Sequence, residues 1–424
     1  MIENIRSIAR YNFWDGTPKL GFLRSNYLKK LISFEQSSLI KVLVGQRRVG
    51  KSFILRQYID HLIKTGVEAR NTLYINMEYT NFEFISTHTD LANLIDTYFS
   101  EFKIQGKLHL FIDEVQRIDQ WEKIINSLSQ DYTRDIAIYI TGSNSEMLSG
   151  ELSSLLSGRY VKFTVFPFSF DEYVGFNSIE KSRANYIDYL QNGGLPELSN
   201  LPNEETKRFY LVALQDTILL RDIVQRYQIK DTGLLLDIFS YLVNNFSTLF
   251  SINNVINYFG SKNRKTNYET VSKYIQYLQN TFIIHKCERF DLKGKELLGG
   301  NVKYYVNDLA FKNLLFSGNT HGQGYLLENL VYITLLNHGF QTYVGTMRDK
   351  EIDFVAIKND VTIYIQVTYS LEDDSTAKRE YSAFSSIKDH YEKWIVSLDD
   401  IPKKLQNGIR NVVAWELDDL LDRI

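Results

Sequence analysis

The stretch Lys41–Tyr58, KVLVGQRRVGKSFILRQY, constrains this chain more than any other. A β-branched apolar run stops at Gly45, a loop continues to Gly50, and Lys51 and Ser52 stand where an amphipathic segment begins. Gly45-Gln46-Arg47-Arg48-Val49-Gly50-Lys51-Ser52 satisfies G-x-x-x-x-G-K-[ST] at every fixed position. The flanks fit as well. SLIKVLVG reads as a short buried strand, and SFILRQYIDHLIKTG carries helical spacing through Ile54, Tyr58 and Leu62 until Gly66. A strand, a glycine loop and a helix start aim N–H groups and the positive end of the helix dipole at one point, which makes an anion site. Glycine lets the main chain approach phosphate oxygens without an intervening Cβ. The expectation is a phosphate loop, with Phe53 directly after it. Lys51 reaches the β- and γ-phosphates of ATP and the Ser52 hydroxyl ligates Mg²⁺.

The partner of such a loop is an apolar strand ending in carboxylates. KLHLFIDEVQ supplies it, with Leu108, Leu110, Phe111 and Ile112 running into Asp113 and Glu114. Asp113 is expected to hold magnesium through water, and Glu114 to polarise the attacking water as general base. A third strand, DIAIYITGSNSEML, ends in Thr141, Gly142, Ser143 and Asn144. Ser143 and Asn144 are candidates for touching the γ-phosphate; the alternative is a helix cap and turn. Arg159 precedes another apolar strand. It is read either as neutralising transition-state charge, in cis or from a neighbouring subunit, or as a surface ion pair.

The 424 residues suit about two or three domains. With 44% hydrophobic and 14% aromatic residues, each can bury a core. A net charge of −3 excludes a globally cationic nucleic-acid binder, so any such surface has to be a local patch. Cys287 is the only cysteine, which excludes intrachain disulfides and cysteine cages and suits a reducing interior. MIENIRSIARYNFWDG lacks the apolar core of a secretory signal, and no run of about 18 apolar residues occurs. A cytoplasmic protein with no membrane partner is expected.

GQRRVGKS (45–52), FIDEVQ (111–116), ITGSNS (140–145), LSGRY (156–160) and PFSFDEY (167–173) together resemble the AAA-like P-loop ATPases of bacteria and archaea that carry a C-terminal domain of unknown function. GGLPE (193–197), DTILLRDIVQRY (216–227) and EIDFV (351–355) extend the resemblance over nearly the whole chain. It implies ATP binding and hydrolysis, with nucleotide roles for Lys51, Ser52, Asp113 and Glu114, and it leaves the role of Arg159 open.

Beyond the ATPase core, the segment from Tyr186 to Tyr227 reads as helical, broken at GGLPE. LLLDIFSYLVNNF, SINNVINYF and NYETVSKYIQYLQNTFII then form three helical patterns, with Ser251 and Asn267 as caps. HKCERFDLK and VKYYVND follow as a two-stranded ribbon, the order of a winged helix-turn-helix. Lys262, Arg264, Lys265, Lys273, Lys293, Lys295 and Lys303 form a basic patch over 262–303. Its readings are DNA contact or a lid packed on the ATPase or another subunit.

The tail has the αββαβ order of the restriction-endonuclease-like fold, with Asp353 at the first acidic position and Glu328 as support. Where E-x-K is expected, the chain reads Gln366-Val367-Thr368. A neutral amide is a poor ligand for hard magnesium, so the nuclease site is broken and no nuclease activity is expected. A role in binding a protein or nucleic acid remains open to this tail.

The expected fold class is α/β: a P-loop NTPase core with a parallel sheet (1–180), a helical and winged-helix domain (181–310), and a degenerate PD-(D/E)xK nuclease-like α/β domain (311–424). The leading functional reading is an Mg-dependent ATPase whose nucleotide state controls C-terminal modules that meet a protein or DNA, with oligomerisation open. The alternatives are a DNA-processing enzyme with a nuclease-like tail and a low-turnover nucleotide switch.

Overall fold

Five parallel strands form the sheet that carries the phosphate loop: β1 (Ile40–Val44), β2 (Thr72–Asn76), β3 (Leu108–Asp113), β4 (Ile136–Gly142) and β5 (Tyr160–Thr164), in the spatial order β2-β3-β4-β1-β5. The computed structural model describes residues 2–148, 156–316, 322–347, 350–400 and 408–424. These divide into two compact units, Met1–Val165 and Phe166–Ile424.

In the first unit every residue of β1, β2 and β3 is buried. A parallel sheet covered on both faces demands this, which is why these strands read as unbroken apolar runs. The helix Lys51–Lys64 turns Ile54, Leu55, Tyr58, Ile59 and Leu62 inward. Tyr58, Phe111 and Tyr139 meet in the core, the last two stacked at 4.5 Å. The strand order matters for chemistry. β4 lies between β1 and β3, with Ile140 beside both Val42 and Ile112. The carboxyl ends of all three therefore emerge side by side at one edge of the sheet, where ligands of open parallel sheets bind.

After helix Phe170–Asn177, the second unit continues with helices Arg183–Asn192 and Glu204–Asp216, the latter running into a π-helical stretch, Thr217–Gln225. Gly193, at φ 76°, ends the first of them at the expected break. Helices Thr232–Asn244, Ile252–Ser261 and Tyr268–Asn280 follow. Ser251 and Asn267 cap the last two by accepting from Asn254 N–H and Thr270 N–H. The hairpin of β7 (Ile284–Asp291) and β8 (Glu296–Val306) does not stand alone. β7 pairs in parallel with β9 (Gln341–Met347), Arg289 beside Val344, and β6 (Leu249–Phe250) pairs with β8. With β10 (Lys350–Lys358), β11 (Val361–Val367), β12 (Glu392–Ser397) and β13 (Ile409–Val413), they form one eight-stranded mixed sheet, β13-β12-β11-β10-β9-β7-β8-β6. Residues 310 and 311 thus lie between strands of a single sheet. Helix Gln323–Asn337 packs Leu327, Val331 and Leu335 into this unit. Among the described residues, no helix is long and apolar enough to cross a membrane.

Candidate functional site

The phosphate loop leaves β1 at Gly45, whose φ of 154° and close approach to the Val165 carbonyl leave no room for a side chain: a Cβ there would sit 2.3 Å from that oxygen. The loop re-enters a helix through Gly50, at φ 98°. N–H groups in the first turn of a helix have no preceding carbonyl to bond, so they are available to an anion. Lys51 is 5% exposed, and its Nζ donates to the carbonyls of Gly45 (2.8 Å) and Gln46 (3.0 Å). It also lies 4.0 Å from the Glu114 carboxylate. Gln46 and Val49 are buried, and the Val49 carbonyl accepts from the guanidinium of buried Arg24 at 2.9 Å. Arg47 pairs with Glu78 at 3.1 Å, and Arg48 is exposed at φ 69°. Phe53 is exposed beside the loop, with the Arg56 guanidinium 4.4 Å from its ring centroid.

Asp113 ends β3 at 1% exposure. Its carboxylate accepts from Tyr74 Oη (2.8 Å), Asn76 Nδ2 (3.1 Å) and Thr141 Oγ1 (2.5 Å). Burial, then the neighbouring Glu114 charge, push the Asp113 carboxyl above its ordinary range, while the hydrogen bonds from Ser52, Thr141 and Tyr74 oppose this. The Ser52 hydroxyl and the Asp113 carboxylate are hard oxygen ligands of the kind that suits Mg²⁺. The other donors on Asp113 fit contact through water.

Glu114 takes a left-handed backbone, φ 57°, and its N–H donates to Thr141 Oγ1 at 3.0 Å. Its carboxylate accepts from Gln116 Nε2 at 2.5 Å, and the same nitrogen lies 3.5 Å from Ser143 Oγ. Ser143 is thus brought to the acid pair. Asn144 Oδ1 accepts from Glu146 N–H at 2.8 Å, the capping arrangement. Sequence reasoning missed Tyr74, Asn76, Thr141 and Gln116. Only the FIDEVQ string held a signal for Gln116, two residues beyond the general-base candidate.

Arg159 requires a correction. The expectation of transition-state contact within one chain fails because β5 runs parallel to β1 with Tyr160 beside Ile40. Arg159 therefore lies at the amino-terminal edge of the sheet, opposite the phosphate loop, where it hydrogen-bonds Asn126 at 2.7 Å.

Residues 37–174 match the family described as an AAA domain, and residues 183–321 match a domain of unknown function. An uncharacterized protein of Haemophilus influenzae is 35% identical over 400 residues, covering 93% of this chain and 98% of its own length. The chain belongs to the AAA-like P-loop ATPases with a C-terminal domain of unknown function. An uncharacterized protein of Methanocaldococcus jannaschii is 29% identical over 403 residues, 90% of this AAA-like chain and 86% of its own. Among solved structures, a Walker-type ATPase of Pyrococcus abyssi is similar at 16% identity, covering 71% of this chain and 99% of its own with a TM-score of 0.48. The RuvB Holliday junction branch migration motor of Thermotoga maritima is similar at 15% identity, covering 70% and 96%, with a TM-score of 0.32.

The second unit of this AAA-like chain contains a cleft of about 840 Å³ lined by Lys303, Glu328, Asp353, Gln366, Arg379 and Glu380 among others. Here the expected basic patch is corrected as well. Lys303 is buried, and its ammonium pairs with Glu328 (3.0 Å) and Glu351 (2.8 Å), because β8 lies inside the sheet instead of forming a free wing. Arg264 is held by Asp231 and Asp237, and Lys273 by Glu269. The remaining patch is thinner than the sequence suggested.

Asp353 lies where the tail reading placed it. Burial and the charge of Glu328 hold its carboxyl well above the ordinary range, with Lys303 opposing. Gln366 bridges Asp353 N–H and Glu380, accepting at 2.8 Å and donating at 2.8 Å. Two cations lie among these carboxylates: Lys303, paired with Glu328 and Glu351, and Arg379, paired with Glu380 at 2.6 Å. Among the described residues, no three His, Cys, Asp or Glu side chains converge as a metal cage.

Proposed function

We propose that this chain is a magnesium-dependent ATPase whose nucleotide state sets the disposition of its C-terminal elements. The observation that carries the reading is the acid pair at the end of β3 beside the phosphate loop, with the Lys51 ammonium 4.0 Å from the Glu114 carboxylate. On nucleotide binding, Lys51 would exchange the carbonyls of Gly45 and Gln46 for β- and γ-phosphate oxygens. Ser52 and Asp113 would hold Mg²⁺, which supplies charge neutralisation when bound. Glu114 would take a proton from the attacking water, and Ser143 would sense the γ-phosphate. Loss of that contact after hydrolysis is the step able to release one arrangement for another. Any charge-neutralising role for Arg159 would then act on a neighbouring subunit.

The test is calorimetry with magnesium-ATP. Lys51→Ala should abolish the binding heat while its circular dichroism stays that of the unaltered protein; retained binding would refute the phosphate-loop reading. Glu114→Gln should keep binding and lose turnover. For the tail we favour binding without cutting, because Glu328 and Glu351 are already paired with Lys303 and Glu380 with Arg379. Plasmid incubated with the protein and Mg²⁺ or Mn²⁺ should stay intact, and nicking would overturn this part.

A further inference from the structure

Gln116 ties the carboxylate after β3 to the hydroxyl after β4. Its Nε2 is 2.5 Å from Glu114 Oε2 and 3.5 Å from Ser143 Oγ. An ionised carboxylate only accepts, so the nitrogen end of the amide has to face it. The other end, Oε1, is buried without a hydrogen-bond partner. That oxygen packs over Gly142, where a Cβ would come within 2.9 Å of it and 2.1 Å of Met147 Sδ. The residue before Ser143 thus leaves space for the amide, and the amide gives up one of its own hydrogen bonds to stay there. An unsatisfied buried oxygen is unfavourable, so this orientation is held by what Nε2 contacts.

The geometry points to Gln116 as the positioning residue of ATP hydrolysis: it fixes the direction of the Glu114 carboxylate and links it to Ser143. This role rests on the ATPase reading above and adds the group through which γ-phosphate occupancy at Ser143 reaches the base. Arrival of the γ-phosphate at Ser143 draws that hydroxyl away from Nε2, leaving the amide to Glu114 alone. With a triphosphate present, the amide then serves Glu114 alone, and the base is held on the side of the attacking water without competition from Ser143. General-base catalysis depends on this placement, since the proton acceptor has to lie within hydrogen-bond reach of the water.

Gln116→Met keeps the length of the side chain and removes the donor; Gln116→Glu keeps the shape and replaces the donor with a charge. In the full chain, both should bind the magnesium complex of the β,γ-imido analogue of ATP within about threefold of the unaltered protein, and both should slow single-turnover hydrolysis by about tenfold or more. In a Glu114→Gln background, Gln116→Met should cause no further loss, because residues that act as one unit are non-additive. Turnover of Gln116→Met within twofold of the unaltered protein overturns the role, as does an equal loss of affinity and rate. A further loss in the Glu114→Gln background also overturns it, by showing that Gln116 acts elsewhere. An unaltered protein that binds but never turns over ATP sinks the hydrolysis reading and this role together, whereas normal turnover in the glutamine variants sinks this role alone.

Discussion

Tyr74 donates its phenol to Asp113 at 2.8 Å, from the strand next to the one that carries the acid. Asn76 lies opposite Asp113 across β2 and β3, and Tyr74, two residues earlier, shares its face of the sheet. The Tyr74 hydroxyl is held well above its ordinary pKa by burial and then by the Asp113 charge, so it stays a donor. A buried carboxylate beside Glu114 therefore keeps its orientation without a ligand present.

Tyr74→Phe removes one of several donors to that carboxylate. It should cost roughly 1–2 kcal/mol of stability, since hydrogen bonds to charged groups are the stronger ones. Urea unfolding checks this, and an unchanged midpoint would show that the bond contributes nothing.

Lys303→Met should be far more damaging. It leaves Glu328 and Glu351 without their shared cation, near the buried Asp353 carboxyl that burial and Glu328 already push well above the ordinary range. Removing one partner of a buried ion pair costs about 3–5 kcal/mol. The loss should appear as an early unfolding transition of the second unit, while nucleotide binding by the first unit persists at low denaturant.

Gly45→Ala should disturb the first unit, because its Cβ would lie 2.3 Å from the Val165 carbonyl oxygen. Backbone is the obstacle, so the loop has to move. A stability loss of about 1–3 kcal/mol from overpacking should accompany weaker magnesium-ATP binding. Calorimetry and urea unfolding on one preparation separate the two effects.

Acid should weaken the first unit through His109, which lies on β3 and stacks on Tyr139. Burial first, then the charges of Lys107 and Lys41, lower its pKa from 6.5 to about 4. Between those values the unfolded chain binds the proton and the folded chain does not. The contribution is therefore intact above pH 6.5 and declines as pH falls towards 4, by roughly 3 kcal/mol in all. His109→Phe should flatten that part of the pH–stability curve; an unchanged slope would rule His109 out as its origin.

Local order in the sequence made much of the nucleotide unit readable. Gly45 to Ser52 are contiguous, so the loop and its helix start follow from neighbours along the chain. The run into Asp113-Glu114 is contiguous too, as are the capping signals at Ser251 and Asn267. The in-cis reading of Arg159 fails for the opposite reason. Arg159 adjoins an apolar strand like the others, but it precedes its strand, and in a parallel sheet that places it at the edge away from the phosphates. Lys303 was similarly read as a solvated wing residue, because nothing in its neighbours reveals that β7 joins β9.

The amino-acid sequence alone determined the phosphate loop, the acid pair and the alternation of strands and helices, because each depends on side chains a few residues apart. Tertiary structure decided which strand ends stand together. Placing β4 between β1 and β3 brings Thr141 and Ser143 to the acids, the neighbouring β2 brings Tyr74 and Asn76 to Asp113, and folding β8 into a larger sheet brings Lys303 to Glu328. Those contacts join residues far apart in the chain, and only sheet register, set by packing of the whole unit, puts them within hydrogen-bond distance.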